Sequence, residues 1–198
     1  MSRNRWRCLS RLLVAATALL FSVSMSHSTA FAAERAGVTL PDAADAHGAP
    51  LVLNGTALRS VFVFDVYVAG LYLPQRTSDA EAILAADTPR RMVMHFVRDV
   101  DRQDLCKGWR KGLKKNVPDA DEMLRKDFEK LCGAMSDIKD GQDLTFTYLP
   151  QQGTTIQFGG EVRDTIPGKD FADALWSCWI GPDPDPGKGF KRELLGQD

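Results

Sequence analysis

Imidazole and thiolate ligands for metals are scarce in this chain, which has 3 histidines and 4 cysteines among its 198 residues. The spacings C-x25-C and C-x45-C that run from Cys106 through Cys132 to Cys178 match no zinc signature, and beyond the first 32 residues the only histidines are His47 and His95. A structural metal is therefore not expected. An excess of positive charge is also missing, since 25 Lys and Arg face 26 Asp and Glu, and this balance argues against nucleic acid as the main partner. No internal repeat is present, and no segment after residue 32 is apolar enough for a membrane helix.

What the chain does have at its start is the pattern expected of a leader. Arg3, Arg5, Arg7 and Arg11 precede the apolar stretch LLVAATALLFSV, and Ala30-Phe31-Ala32 supplies the small-x-small pattern of a signal-peptidase site. The expectation is a signal peptide over residues 1–32, cut between Ala32 and Ala33, and a periplasmic or secreted mature chain of 33–198. Removing four arginines and no acids leaves 21 basic against 26 acidic residues, a net charge of −5. That length suits one domain with a full core. Cys106, Cys132 and Cys178 remain, an odd number. One disulfide plus one buried thiol is the expected accounting, with Cys106 and Cys132 the favoured pair because each lies on one of two consecutive predicted helices.

Periodicity supplies the elements. Ala33 to Pro50 is small and polar and reads as a loosely held leading segment. The stretch Val61 to Tyr72 is apolar on both parities, which predicts a strand covered on both faces, bent near Asp65 and ended by Pro74. Ser78-Asp-Ala-Glu81 is a capping-box pattern before a short helix. RRMVMHFV, residues 90–97, predicts a second strand. Asp99 and Asp101 are candidates to cap a helix running to about Asn116, with Leu105, Trp109, Gly112 and Leu113 as its buried stripe. Leu124, Phe128, Leu131 and Met135 mark the next helix, and the short connection makes a helical hairpin. Residues 143–163 alternate as an antiparallel hairpin. KDFADALWSCWIG predicts a final substantial helix, and PDPDPGKG cannot form regular structure. The sum is an α+β architecture, a mainly antiparallel sheet with helices packed on it.

Arg59 stands at the mouth of the apolar run, where an unpaired guanidinium is costly to desolvate. It either snorkels to water, pairs with Asp65, or anchors an anionic group by bidentate hydrogen bonds. Tyr67, eight residues on, has the same strand parity and offers a hydroxyl to the same head group, unless it is a core tyrosine bonded to a carbonyl. Trp176 and Trp179 are candidates for a pocket floor or for plain sheet packing. Met92 and Met94 share one strand parity and fit a cavity wall or the core equally. His95 reads as structural. Lys107, Arg110, Lys111, Lys114 and Lys115 form a basic helix face whose charge Asp119, Asp121 and Glu122 can answer.

The order LNGTALR, VYVAGLYLP, a strand and helix pair, DGQDLTFTYLPQQGTTIQFGGE, IPGKDFADALWSCWIG and a terminal LLG resembles the chalcone isomerase-like domain in its bacterial exported branch, over roughly residues 38–196. The resemblance implies an open-faced β-sandwich, with a large antiparallel sheet backed by helices and a cleft between them. Within that family plant isomerases close a chalcone, and related plastid proteins bind fatty acids without that catalysis. Arg59, in Gly55-Thr-Ala-Leu-Arg59, falls where the family places an arginine facing the ligand's oxyanion or carboxylate. Tyr67 stands where the plant enzymes have a threonine, Gln103 where they have a tyrosine, and Lys107 is offset by one from their lysine. With the tyrosine gone and the lysine displaced, the groups that would hold the isomerisation transition state are missing. The resemblance thus implies a non-catalytic protein that takes a fatty acid or similar amphipathic carboxylate, without a cofactor; together with the residue reading above, the candidate ligand contacts are Arg59, Tyr67, Lys107 and Trp176. A cofactor-free isomerase or lyase acting on a conjugated carbonyl, and a cell-envelope interaction module without a small ligand, are the alternatives.

Overall fold

A computed structural model describes residues 33–197. The expected leader and its cleavage point fall on residues 1–32 and lie outside the described residues. Among the described residues, no helix is long and apolar enough to cross a membrane.

The leading segment is ordered. Strand β1 (Ala33–Arg35) pairs with β2 (Val38–Leu40), and β3 (Ala43–Ala46) pairs with β4 (Ala49–Val61). Both links are two-residue turns with positive φ at both positions, Ala36 at 50° with Gly37 at 77°, and His47 at 53° with Gly48 at 90°. Such mirror-image turns match the twist of paired strands, so the X-Gly steps in this small-residue stretch are hairpin signals and not loose chain.

The long apolar run is likewise not one strand. β4 ends at Val61, the chain reverses at Phe62-Val63, and β5 (Phe64–Leu73) returns antiparallel to it. The break carries none of the usual turn residues, which hides it from a reading of periodicity. β5 is buried on both faces from Tyr67 to Leu73, as its continuous apolarity predicts. Then follow the short helix α1 (Ala80–Ala85), capped by Asp79, and β6 (Arg90–Phe96).

Helices α2 (Arg102–Asn116) and α3 (Glu122–Ala134) form the expected hairpin. Asp101 is the N-cap of α2 by position, but the capping bond comes from afar: the Arg102 amide donates to Asp137 Oδ1 at 2.9 Å, while Asp99 pairs with Lys139 at 2.8 Å. Strands β7 (Asp143–Leu149), β8 (Gly153–Phe158) and β9 (Glu161–Ile166) follow, so residues 143–163 belong to three strands, the last two split at Gly159-Gly160. Helix α4 (Lys169–Ile180) is buried nearly all round, and a final short helix, α5 (Lys188–Leu194), forms in a stretch without a periodic signal.

The seven strands β3 to β9 make one antiparallel sheet in sequential order. One face carries the main core, with Ala69, Leu71, Met92, Phe146 and Ile156 under α4, Phe128 of α3 and Trp109 of α2. The other face is covered only in part, by β1–β2 through Val38 and Leu40. This is the α+β, open-faced layout expected.

Arg90 is the charge this core encloses. It is fully buried, donates to the Ile83 carbonyl at 2.9 Å, pairs with Asp173 of α4, and lies 5.0 Å from the ring centroids of both Tyr148 and Trp176. The cysteines correct an expectation. Cys106 and Cys132 do meet between α2 and α3, but as thiols: Cys106 Sγ points to the Cys132 carbonyl at 3.7 Å, and the three cysteines among the described residues are free and buried.

Candidate functional site

Arg59 and Tyr67 are direct partners across β4–β5, so their side chains share a face because they are cross-strand neighbours, not because they lie eight residues apart on one strand. Immediately beyond, the pairing jumps to Ser60 with Asp65, which leaves Val66 as the extra residue of a β-bulge. A bulge re-aims side chains, and here it turns the consecutive residues Val66 and Tyr67 toward the same cavity.

That cavity lies between the sheet and helices α2 and α4 and has a volume of about 170 Å³. Its apolar walls come from Val66, Met94, Phe96, Leu105, Trp109 and Trp179, with Arg59 at the rim. It opens into a wider vestibule of about 520 Å³ that shares Arg59, Val66 and Gly108 and adds the β4–β5 hairpin tip, Arg98 and Lys107. Lys107 therefore stands on the outer vestibule, exposed. Trp176 does not reach either space: it is turned to Arg90 in the core, and its neighbour one helical turn on, Trp179, lines the cavity instead. Gln103 is on a different side of α2, in a groove with Arg110 and Glu129.

Arg59 is about one-quarter exposed and its bonding is loose. Nη1 donates to the Pro186 carbonyl at 3.3 Å and Nη2 is 3.9 Å from Asp185 Oδ2. Asp65 is not its partner, since that carboxylate accepts from Ser60 Oγ at 2.7 Å. Asp185 sits closer to Lys111, at 2.7 Å, a charge contact without hydrogen-bond alignment. Most of the five guanidinium N–H donors thus retain bonding capacity toward a planar anion. The other rim acid is Asp104, so selection of an anion there rests on direct contact with Arg59 more than on a long-range positive field.

Tyr67 receives a hydrogen bond from Trp179 Nε1 at 3.3 Å, which leaves its own O–H free to donate. Burial holds its pKa above the ordinary tyrosine value, against the smaller opposing effects of Trp179 and Arg59. Cys178, also on the wall, is pushed up to about 12, chiefly by burial. Both groups stay protonated at neutral pH, so Tyr67 is a donor here and not a base.

Elsewhere the charges settle locally. Arg110 pairs with Glu129 at 2.6 Å and Lys115 with Asp183 at 3.1 Å, in place of the expected Asp119, Asp121 and Glu122, the last of which pairs with Lys126 of its own helix. His95 lies 2.7 Å from Asp143 on the neighbouring strand. No group of three or more metal-ligating side chains occurs among the described residues. Asp185 and Pro186 are the site residues that sequence reasoning missed. They lie in the PDPDPGKG loop, which has no period to read, and only the charge of Asp185 marked it.

The architecture is thus a layered sheet-and-helix domain with a small apolar cavity and an arginine at its lip. The chain belongs to the chalcone isomerase-like family, whose model matches residues 32–196. Its structure is similar to that of the fatty-acid binding protein AtFAP1 of Arabidopsis thaliana, with a TM-score of 0.64 and 16% identity over 80% of this chain and 92% of that one. No curated protein matches the chain.

Proposed function

We propose that this protein is a non-catalytic carrier of an amphipathic carboxylate, a fatty acid or a near relative, exported by the leader read in residues 1–32. The observation that carries the reading is the loosely bonded Arg59 guanidinium at the lip of an apolar cavity, with the Tyr67 hydroxyl beside it on the paired strand. A carboxylate there would accept two N–H donors from Arg59 and the O–H of Tyr67. The alkyl part would gain about 25 cal/mol for each Å² of apolar surface removed from water.

Size sets the mode of binding. A cavity of about 170 Å³ is below the roughly 300 to 1,000 Å³ of sites that enclose a drug-sized ligand. The inner space therefore takes part of a chain, with the rest lying in the vestibule. Catalysis finds little support, because Tyr67 and Cys178 on the inner wall are held protonated, and Lys107 is outside on the vestibule. The fatty-acid binding named for the Arabidopsis protein supports the same choice of ligand class by likeness of fold.

The test is native mass spectrometry with lipid extraction of the protein as recovered from the cell, followed by titration with saturated carboxylates of graded length. Wild type is expected to bind, and Arg59→Ala to bind about tenfold to a hundredfold more weakly, the cost of a charge-assisted hydrogen-bond pair. Wild-type protein that neither carries nor takes up a carboxylate would overturn the reading.

A further inference from the structure

The tip of the β4–β5 hairpin is apolar and bare. Phe62 is 96% exposed, Val63 86%, Phe64 57% and Val61 41%. Four successive residues of this kind at the end of a rigid hairpin offer on the order of 500 Å², taking about 200 Å² for each aromatic ring. Phe62 also holds φ at +56°, a conformation that Gly or Asn takes at less cost. An aromatic kept at that position, exposed to water, gains nothing for the fold.

We propose that this tip is a lipid-docking element, inserting Val61 to Phe64 into the interfacial layer of a phospholipid bilayer. The area is too small for a stable protein interface, which takes about 800 Å² from each partner. It is enough for partial insertion at a membrane surface, where aromatic and aliphatic side chains enter the headgroup and acyl boundary with basic residues beside them and binding scales with the apolar area buried. Arg98 supplies such a residue, its guanidinium 4.6 Å from the Phe64 ring centroid. Held there, it lies at the level of the lipid phosphates once the ring is buried. The tip is also a wall of the vestibule, since Val61, Phe62 and Phe64 line it together with Arg59. Docking by the tip thus sets the cavity mouth against the lipid, where a poorly water-soluble ligand is found.

Charge around the vestibule decides which lipid. Arg59, Arg98, Lys107 and Lys111 are matched there by four aspartates, so the surface has no net attraction for an anionic bilayer and apolar insertion carries the contact. A zwitterionic bilayer is sufficient. This use of the surface rests on the carrier reading, but its geometry does not.

The experiment is co-sedimentation of the purified protein with phosphatidylcholine vesicles, with carboxylate binding measured in parallel. Wild type is expected to partition onto the vesicles, and Phe62→Ser/Phe64→Ser to partition about tenfold or more less, with unchanged far-UV circular dichroism. Val63→Asp is a second variant with the same expected loss. Because the readout is the difference between wild type and variant, any contribution of residues 1–32 cancels. Variants that sediment as wild type does, or wild type that stays in the supernatant while still binding carboxylate, would overturn the docking element alone. Vesicle binding without carboxylate binding would instead sink the carrier. Sedimentation velocity showing a dimer that the Phe62 substitution abolishes would assign the tip to a second copy of the chain and overturn the lipid proposal.

Discussion

Phe62 sits in the first central position of a two-residue turn with φ at +56°, where the Cβ of any L-residue crowds the backbone. Strain of this kind costs on the order of 1 kcal/mol or more. Phe62→Gly is therefore expected to raise stability by about 1 kcal/mol, or a few degrees of melting temperature in a domain of this size, while removing the tip's most exposed apolar side chain. A melting temperature below that of wild type would show that the ring packs on the fold after all. Single residues were unevenly legible. Arg59 was found from its G-x-x-x-R setting and resemblance, and Tyr67 from strand parity, although the true relation is a cross-strand pair. Asp185, which faces Arg59, lies 126 residues after it in a proline-rich loop, and no pattern local to either residue joins the two.

At the scale of elements, close approach matters more than pattern. A methyl group added at Gly112 of α2 would stand 2.5 Å from Cys178 Sγ and 2.9 Å from its Cβ, so α2 and α4 touch through a position that admits no side chain. Gly112→Ala is expected to destabilise the fold by about 1 to 3 kcal/mol, as overpacking does, despite alanine's better helix propensity. Urea denaturation measures the balance, and a stabilised variant would mean that the helices separate at little cost. The large helices were readable because apolar residues at three- and four-residue spacing record one buried face. The hairpin break at Phe62-Val63 was not, because turn chemistry is absent there. Helix α5 is short and depends on long-range bonds, such as Asn54 Nδ2 to the Leu194 carbonyl at 2.8 Å and Lys191 Nζ to the Gly181 carbonyl at 2.9 Å. Propensity alone does not specify such an element.

For the molecule as a whole, stability is tied to thiols that the interior keeps neutral. Burial pushes Cys178 up to about 12, and burial together with neighbouring Cys106 does the same for Cys132. In the unfolded chain a thiol ionises near about 8.5. Between those two values the unfolded state releases protons that the native state retains, so this contribution is complete below about pH 8.5 and declines as pH rises toward about 12. The expected slope is up to about 1.4 kcal/mol per pH unit for each thiol, and Cys178→Ala should flatten it. Urea unfolding at about pH 8 and about pH 9.5 checks this, and equal stability at both would remove the claim.

The sheet runs from β3 to β9 with every strand beside its chain neighbour. Lengthening any connection therefore enlarges one loop and leaves the pairing order intact. The α2–α3 hairpin is itself an excursion of this sort, thrown out between β6 and β7 and folded back across the sheet. Evolution could remodel that excursion, and with it the size of the chamber beneath, without disturbing the rung on which Arg59 and Tyr67 are paired. For the carrier proposed above, a scaffold so divided would let cargo preference drift while the anchoring point stays put.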